Sequence, residues 1–247
     1  MKKVKLTQVV NAGLLIEGMG KKILIDGIHS EKTHEWSSVD KELMDQIIYG
    51  KDKFKDINYL LFTHQHIDHF NAEKTLEYIG SNKIEKLLVT NIKDVTLDKP
   101  ELLVELNSNY YESGKIVSDN IIIKYIKTKH LAHEKIGIDH YIFIININKK
   151  NILFLGDADY TKKELIKVLE DVHIDIIVAP FIVASSTPGR KFVNKINPEL
   201  LILNHLPNKV DDKYNYRKMA EKVIEKHFDI LPKTLIFQEL YDEATIN

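Results

Sequence analysis

The sequence predicts a layered α/β fold in a single domain over residues 1–247, and three observations support this prediction. Apolar runs of strand length alternate with amphipathic stretches of helical spacing along the chain. Both kinds of segment occur in both halves, which excludes an all-helical bundle. No low-complexity tract and no linker rich in proline, glycine or serine divides the chain.

The first half is predicted to begin with strands and to contain one early helix. Gly18, Met19 and Gly20 are typical of a turn between the second and third strands. The predicted strands are Val4–Val10, Gly13–Glu17, Lys22–Asp26, Ile57–Phe62, Lys86–Thr90 and Ile121–Lys127, and the predicted helix is Asn71–Tyr78.

The second half is predicted to begin with a β-hairpin, since two apolar runs flank the polar residues Asn148–Asn151. Thr161 is a candidate N-cap for the helix that follows, because its hydroxyl can accept a bond from a free backbone N–H. The predicted strands are Tyr141–Ile147, Ile152–Leu155, Ile174–Ala179, Leu200–Leu203 and Thr234–Phe237, and the predicted helices are Thr161–Leu169 and Asp211–Phe228.

The composition narrows the possible chemistry and partners. The chain has no cysteine, so a transition-metal site must use histidine and carboxylate. The 35 Lys and Arg residues balance 36 Asp and Glu residues, which makes nucleic acid an improbable partner. No apolar stretch approaches the ~20 residues of a transmembrane helix, and no signal-peptide pattern follows the basic start. We expect a cytoplasmic protein that does not bind a membrane.

A cluster of histidines follows the strand predicted at Ile57–Phe62. Residues two apart in an extended segment face the same side, so His64 and His66 can bind one metal ion. Asp68 and His69 lie further along as the chain turns, and they can face a second ion about 3.5–4 Å away. With 11 histidines in 247 residues, the pattern His-x-His-x-Asp-His arises by chance in about one of several hundred such chains. The alternative is a run of surface histidines.

Three other predicted strands end in residues of the same chemistry. Asp157 follows Gly156 at the end of one strand, where its carboxylate could bridge two metal ions. His205 and Asp26 lie at the ends of two more strands. Each residue alone fits ordinary turn chemistry, but their occurrence together with the histidine cluster favours a metal site.

These motifs, in this order, resemble the metallo-β-lactamase-like superfamily over nearly the whole chain. The apolar strand into His-x-His-x-Asp-His, the later Gly-Asp and the late strand into His are shared, and residues 11–15 (NAGLL) and 23–27 (ILIDG) are similar to its opening strands. The resemblance implies a four-layer αβ/βα sandwich of two mixed β-sheets flanked by helices. It also implies two divalent metal ions between the sheet edges, zinc above all, with manganese or iron as alternatives.

The resemblance also implies a role for each site residue. His64, His66 and one later histidine would bind the first metal, Asp68, His69 and His205 the second, and Asp157 would bridge them. Asp26 would accept a hydrogen bond from a ligand imidazole and fix its tautomer.

The third histidine of the first site is left open by the sequence. His130 is preferred because it is nearest the strand end, and His133 is the alternative. His140 abuts the next strand and is expected to pack there. His29 and His34 follow Asp26 in a loop that could line the pocket, although an ordinary loop position is the more common case.

The predicted function is hydrolysis of a small molecule by a metal-activated hydroxide, with Asp68 orienting the nucleophile. The segment around His130 lacks the Pro-Gly-His-Thr pattern of glyoxalase II-like thioesterases, and Asp157-Ala158 lacks the Asp-Thr of tRNA-maturing nucleases. The predicted substrate is therefore a small ester, lactone or phosphodiester. The alternatives are a mononuclear-iron oxygenase of the same fold and a non-catalytic metal-binding domain. His66 disfavours relatives of the flavodiiron proteins, which usually have glutamate at this position.

Overall fold

The computed structural model describes residues 3–30, 33, 35–90, 97, 99–118, 120–131 and 137–246. Fourteen strands occur in these ranges. They are β1 Val4–Gln8, β2 Leu14–Gly18, β3 Lys21–Ile25, β4 Tyr59–Leu61, β5 Lys86–Val89, β6 Leu103–Glu105, β7 Ser113–Ser118, β8 Ile121–Lys129, β9 Asp139–Ile147, β10 Lys150–Phe154, β11 Ile176–Pro180, β12 Leu200–Asn204, β13 Lys233–Ile236 and β14 Glu243–Ile246.

Six α-helices occur in the same ranges, together with short 3-10 helices at Asp52–Phe54 and Pro100–Leu102. None of the described helices combines the length and the apolar character that crossing a membrane requires. The helices are α1 Lys41–Ile48, α2 Ala72–Ser81, α3 Lys163–Leu169, α4 Ile182–Ser185, α5 Thr187–Ile196 and α6 Tyr216–His227.

The strands form two mixed sheets of seven strands each. The first has the order β14-β1-β2-β3-β4-β5-β6, and the second has the order β13-β12-β11-β10-β9-β8-β7. In the first sheet β3, β4, β5 and β6 are parallel, and the remaining pairs are antiparallel. In the second sheet β10, β11, β12 and β13 are parallel, and the remaining pairs are antiparallel. Each sheet therefore has a block of parallel strands whose carboxyl ends share one edge.

The apolar residues form a core between the sheets and a layer on each outer face. In β10, Ile152 and Phe154 belong to the inner core, whereas Leu153 belongs to the outer layer of the second sheet. This alternation follows from the two-residue period of a strand, and both faces are buried because helices cover the outside. Leu43 of α1 belongs to the outer layer of the first sheet, and Phe192 of α5 to that of the second. The four-layer sandwich of two mixed sheets flanked by helices is confirmed.

The N-cap predicted at Thr161 is wrong. The helix α3 begins at Lys163, and Lys162 precedes it without a capping side chain. The backbone N–H of Thr161 donates to Oδ1 of Asp159 at 3.0 Å, and its hydroxyl donates to the same oxygen at 2.5 Å. The carboxylate of Asp159 thus holds Thr161 in a turn, a local bond that competes with a role at the helix start.

Arg190 lies in the helix α5 and connects it to α4. Oγ of Ser186 caps α5 by accepting from the N–H of Gly189 at 3.1 Å, and Pro188 lies in the first turn, where a missing N–H is harmless. The guanidinium of Arg190 donates to the carbonyl oxygen of Ala184 at 2.8 Å. Arg190 therefore joins α4 to α5.

The carboxylate of Asp175 connects β10 to the segment before β11. We expect Asp175→Asn to lower the free energy of unfolding by about 1–3 kcal/mol at neutral pH. Oδ2 accepts from the N–H of Asn151 at 2.7 Å and Oδ1 from Nζ of Lys150 at 2.9 Å. Burial alone would raise the pKa of Asp175, but these bonds lower it below the usual 3.8. A lowered pKa stabilises the fold above the unfolded-state pKa, and the contribution is lost as the pH falls through the folded-state pKa.

Urea unfolding of the wild type and the variant between pH 2 and 7 tests this expectation. The difference between the two proteins should be constant above about pH 5 and should vanish in acid. Glu199→Gln is the matched control, since Glu199 binds the same Lys150 ammonium at 2.9 Å but its side chain is 66% exposed. A pH-independent loss in Asp175→Asn would contradict the electrostatic explanation.

Candidate metal centre

The candidate site lies at the edge where the parallel strands of both sheets end. Asp26 directly follows β3 of the first sheet, and His64 lies shortly after β4. His205 directly follows β12 of the second sheet, and Asp157 lies three residues beyond β10. Because the carboxyl ends of parallel strands meet at one edge, side chains from distant parts of the sequence converge there.

Four side chains form the first group of donors: His64, His66, His130 and Asp157. Their donor atoms lie within 4.8 Å of one another. Nε2 of His64 lies 2.8 Å from Nδ1 of His66, and Nε2 of His130 lies 3.4 Å from Oδ2 of Asp157. An isolated bridge between His130 and Ala158 brings the end of β8 beside the Asp157 loop. The structure therefore brings the preferred third histidine, His130, to the other two.

Three buried side chains form the second group: Asp68, His69 and His205. Nε2 of His69 lies 3.0 Å from Nε2 of His205, which lies 3.6 Å from Oδ2 of Asp68. The N–H of His69 donates to the carbonyl oxygen of His66 at 2.9 Å, so the chain turns between the two histidines. His205 has a φ of 56°, which is rare for a residue with a Cβ and common at functional sites.

Asp157 lies between the two groups. Its Oδ2 is 3.5 Å from Nε2 of His69, and its Oδ1 is 3.7 Å from Nε2 of His205. Burial alone would raise the pKa of Asp157, but the imidazoles of His205 and His69 outweigh it and lower the pKa well below its usual value. The carboxylate is therefore ionised at neutral pH and faces donors of both groups.

A hydrogen-bond network behind the donors orients one imidazole of each group. Oδ2 of Asp26 lies 2.9 Å from Nδ1 of His69 and accepts from the hydroxyl of Thr63 at 2.6 Å. The same hydroxyl oxygen lies 2.9 Å from Nδ1 of His64. Because the Thr63 proton is directed to Asp26, its oxygen can accept from Nδ1 of His64. In the neutral form that a metal ion requires, each of these imidazoles then presents Nε2 without a proton.

The imidazoles differ in their affinity for protons. Burial, and then the neighbouring His69, lower the pKa of His64 well below its usual value, and burial with His130 lowers the pKa of His66. Burial also opposes protonation of His69, but the carboxylates of Asp157 and Asp26 outweigh it and raise its pKa well above the usual value. Without a metal, the site holds its proton on His69, and this proton must leave when a metal binds.

The donor set fits transition-metal ions. Nε2 of His130 is buried and has no hydrogen-bond partner within the described ranges. An unsatisfied buried nitrogen is costly, and a bound metal ion would satisfy it. The donors are imidazole nitrogens and carboxylate oxygens, which suit zinc, iron, manganese and cobalt. The charges of the two carboxylates, Asp68 and Asp157, would offset part of the charge of such ions.

The other histidines of this region take different places. His140 is buried in β9, where its Nδ1 lies 2.9 Å from the Thr128 hydroxyl, and neither donor group includes it. His29 is buried beside the second group, and burial with the nearby His69 lowers its pKa to about 4. His34 and His133, the other two candidates, lie outside the described residues.

Gly156 supports the site through its backbone, and we expect Gly156→Ala to destabilise the protein by at least about 2 kcal/mol. Its φ is +50°, and an added Cβ would lie 2.8 Å from Nε2 of His140 and 2.9 Å from Cγ2 of Thr63. The positive φ makes alanine strained at this position. The contacts of the added Cβ would also displace Thr63, which lies against His64, so metal affinity should fall as well.

Gly20→Ala separates the two effects in the Gly156 prediction. Gly20 also has a positive φ, +80°, but an added Cβ there would meet no heavy atom within 4 Å. We expect about 1 kcal/mol of destabilisation and unchanged metal content in this variant. Urea unfolding and bound metal per chain are the measurements. Equal losses of stability and metal in both variants would show that the contacts at Gly156 are unimportant.

An apolar cavity that the sequence does not predict lies beside the donor groups. This cavity has a volume of about 270 Å³, and His130, Asp157 and His205 form one side of it. Its other walls include Trp36, Tyr160, Phe181, Ile182 and Tyr216. One signal in the sequence was available, since Phe181 lies two residues after the predicted strand Ile174–Ala179.

Comparison with known proteins yields a family match and similar folds. A family model described as a beta-lactamase superfamily domain matches residues 5–205. The matched residues include both donor groups. A search of curated protein sequences finds no match.

Several solved structures have the same fold at low sequence identity. An isothiocyanate hydrolase from Delia radicum gut bacteria has a TM-score of 0.66 at 16% identity, with 98% of each chain covered. Igni18, a metallo hydrolase from Ignicoccus hospitalis, has a TM-score of 0.63 at 17% identity, with 99% of each chain covered. CmlA, a diiron β-hydroxylase from Streptomyces venezuelae, has a TM-score of 0.60 at 14% identity over 99% of this chain. The chain spans about half of CmlA, 54% of its length.

Proposed function

The chain belongs to the beta-lactamase superfamily, and on this premise we propose that it is a hydrolase that uses a metal-activated hydroxide at a two-metal site. One observation carries the proposal: the ionised carboxylate of Asp157, a member of the first donor group, also lies within 4 Å of His69 and His205 of the second group. A carboxylate shared by two groups is what a bridging ligand requires.

The first metal would be held by His64, His66 and His130, and the second by a set comprising Asp68, His69 and His205. Asp157 would be shared by the two ions, since Oδ2 lies 3.4 Å from Nε2 of His130 in the first group and 3.5 Å from Nε2 of His69 in the second. When bound, the two ions supply hydroxide at neutral pH and polarise a carbonyl or phosphoryl oxygen.

Asp68 is the residue that would position the nucleophile. Asp68 lies at the edge of a second cleft, lined by Gln65, His66 and Ile67, where its carboxylate can accept a hydrogen bond from the nucleophile and orient it. In ester hydrolysis the oxygen of hydroxide bonds to the carbonyl carbon and the C–O bond to the alcohol breaks. The hydroxide's proton passes to the leaving alcohol, and the acid is released as its carboxylate. The substrate class proposed from the site is a small ester, lactone or phosphodiester.

A second candidate function is oxidation at the same donors with iron in place of zinc. Imidazole and carboxylate are also the ligands of non-haem iron, and one structure of the same fold is named as a diiron β-hydroxylase. A mononuclear-iron oxygenase is the form that we consider. A metal-binding domain without catalytic activity is the third alternative.

The first test is metal content per chain, measured by plasma mass spectrometry on untagged protein. We expect about two equivalents of zinc or manganese, with hydrolysis of at least one member of an ester, lactone and phosphodiester series. His66→Ala should lower the metal content and abolish turnover. His173→Ala is the matched control, because the His173 side chain is 74% exposed and belongs to neither donor group.

Other outcomes would decide against the hydrolase. About one equivalent of iron with oxygen consumption would support the oxygenase. A stable two-metal protein that hydrolyses no member of the series would support the non-catalytic domain. No bound metal after reconstitution would contradict a metal site of any kind.

A further inference from the structure

The apolar cavity opens directly onto the donor groups. His130, Asp157 and His205 form one side of it, so a group attached to the reacting carbon of a substrate would extend into it. Its volume is about 270 Å³. A cavity of about 150 Å³ already admits benzene, so there is room for a ring with a short chain.

Aromatic rings form a second wall of the cavity. Trp36 stacks on Tyr216 with ring centroids 5.6 Å apart at 28°, and Phe181 lies 5.2 Å from Tyr216. Trp36 also meets the ring of His205 edge-on at 4.2 Å. The stacked wall therefore adjoins a proposed metal ligand, and apolar surface begins immediately beside the reacting centre.

Hydrogen bonds hold the Trp36 wall in place. The hydroxyl of Ser37 donates to Oδ2 of Asp211 at 2.7 Å and accepts from the N–H of Asn208 at 2.8 Å. The N–H of Ser37 donates to Oδ1 of Asn11 at 3.2 Å, and the N–H of Trp36 donates to the hydroxyl of Thr33 at 2.8 Å. The wall is formed before a ligand arrives, which lowers the entropic cost of binding.

The charges around the cavity disfavour an anionic group. No lysine or arginine occurs among the described residues that line it, and the acidic Glu35 does. The two nearby arginines are engaged elsewhere, since Arg190 donates to the carbonyl oxygen of Ala184 and Arg217 donates to that of Gln238. A phosphate or carboxylate in the cavity would lose its hydration without gaining a cation.

A cationic group is disfavoured by the apolar lining. Aromatic rings attract cations, but an ammonium would lose its hydration in the cavity. Glu35, the acidic residue nearest the aromatic wall in sequence, is exposed, so water screens its charge.

We propose that this cavity binds an uncharged aromatic or branched aliphatic group of the substrate, and that the substrates are neutral esters or lactones which carry such a group. This inference rests on the proposed hydrolase for the reaction, but the selectivity of the cavity is a binding property that turnover does not determine. Trp36, Phe181, Ile182 and Tyr216 are then the specificity-determining residues.

Binding of three probes of similar shape tests the proposal. The probes are 3,3-dimethylbutan-1-ol, which is neutral, choline, which is cationic, and 2-hydroxyethanesulfonate, which is anionic. Trp36 is the only tryptophan in the chain, so its fluorescence reports occupancy of the cavity in the zinc-loaded protein. We expect the neutral alcohol to bind at least 10-fold more tightly than either ion.

A charge introduced into the cavity should reverse this preference. Ile182 is 42% exposed at the cavity rim, so Ile182→Lys should fold normally. We expect the Kd of the alcohol to rise at least 10-fold and that of the sulfonate to fall. Ile122→Lys is the matched control, because Ile122 is 40% exposed in β8 and does not line the cavity. This control should bind all three probes as the wild type does.

The outcomes separate this inference from the proposed function. If the neutral preference is found without hydrolysis of any ester or lactone, the inference about the cavity stands and the hydrolase fails. If neutral esters are hydrolysed but choline or the sulfonate binds as tightly as the alcohol, the hydrolase stands and the inference is overturned. Failure of the alcohol to show saturable binding, or an unchanged preference in Ile182→Lys, also overturns it.

Discussion

Asp157→Ala is expected to reduce bound metal to one equivalent or less per chain and turnover by more than about 100-fold, the upper end of the loss for outer-sphere changes. The carboxylate is the only described acidic group within 4 Å of donors in both histidine groups, with Oδ2 3.4 Å from Nε2 of His130 and 3.5 Å from that of His69. Removing it leaves buried imidazoles without the charge that offsets two divalent ions. Metal content and kcat on the best substrate are the measurements.

Asp159→Ala is the matched control for this variant. Asp159 lies in the same loop, but its Oδ1 accepts from the hydroxyl of Thr161 and neither donor group includes it. We expect this protein to retain two metal ions and most of its activity. Circular dichroism should show that both variants fold. An Asp157→Ala protein with two metals and normal turnover would contradict the bridging role.

Asp26→Asn is expected to lower metal affinity by about 10–100-fold although the residue touches no metal. The carboxylate accepts three hydrogen bonds, from the N–H and the hydroxyl of Thr63 and from Nδ1 of His69. An asparagine amide has one oxygen and one NH₂, so in either orientation a donor faces a donor. If the NH₂ faces His69, the imidazole must carry its proton on Nε2 and cannot bind a metal there.

Substitution of Thr63 separates the two branches of this network. Thr63→Val removes the hydroxyl between Asp26 and His64, whereas Thr63→Ser retains it. We expect the valine variant to weaken the first metal alone, the serine variant to behave as wild type, and Asp26→Asn to weaken both. Titration with zinc, followed by competition with a chelator, measures the two affinities. Equal effects of the valine and serine substitutions would show that the hydroxyl does not orient His64.

The local part of the candidate site could be predicted from the sequence. His64, His66, Asp68 and His69 lie within six residues. Strand spacing pairs His64 with His66, and a turn of the chain after them was needed to assign Asp68 and His69 to a second ion. Asp157 and His205 were identified because each follows an apolar run that could hardly be anything except a buried strand. The family resemblance implied two mixed sheets with the metals between their edges. The pairing order that brings those strand ends to one edge comes from the structure.

The parts that escaped prediction depend on contacts between distant residues. The strand β7 has the burial pattern of an edge strand with one solvated face, and its sequence, SGKIVS, has too few apolar residues to stand out. The aromatic wall joins Trp36, Phe181 and Tyr216, whose separation in the sequence hides their contact. The helix α5 is absent from the predicted elements. Its first turn contains proline and glycine, which are typical of loops, and capping by Ser186 makes them compatible with a helix.

The origin of the donors in two different sheets has a consequence for the mechanics of the molecule. The first sheet contributes residues near His64, and the second contributes His130, Asp157 and His205. Ions shared between them would cross-link segments that are far apart in a chain without cysteine, with the same restriction of chain freedom that a disulfide imposes. A chelator would then remove these cross-links, as a reducing agent removes the disulfides of a secreted protein. The two sheets would separate first at the metal-binding edge, while the apolar layers still hold them together elsewhere.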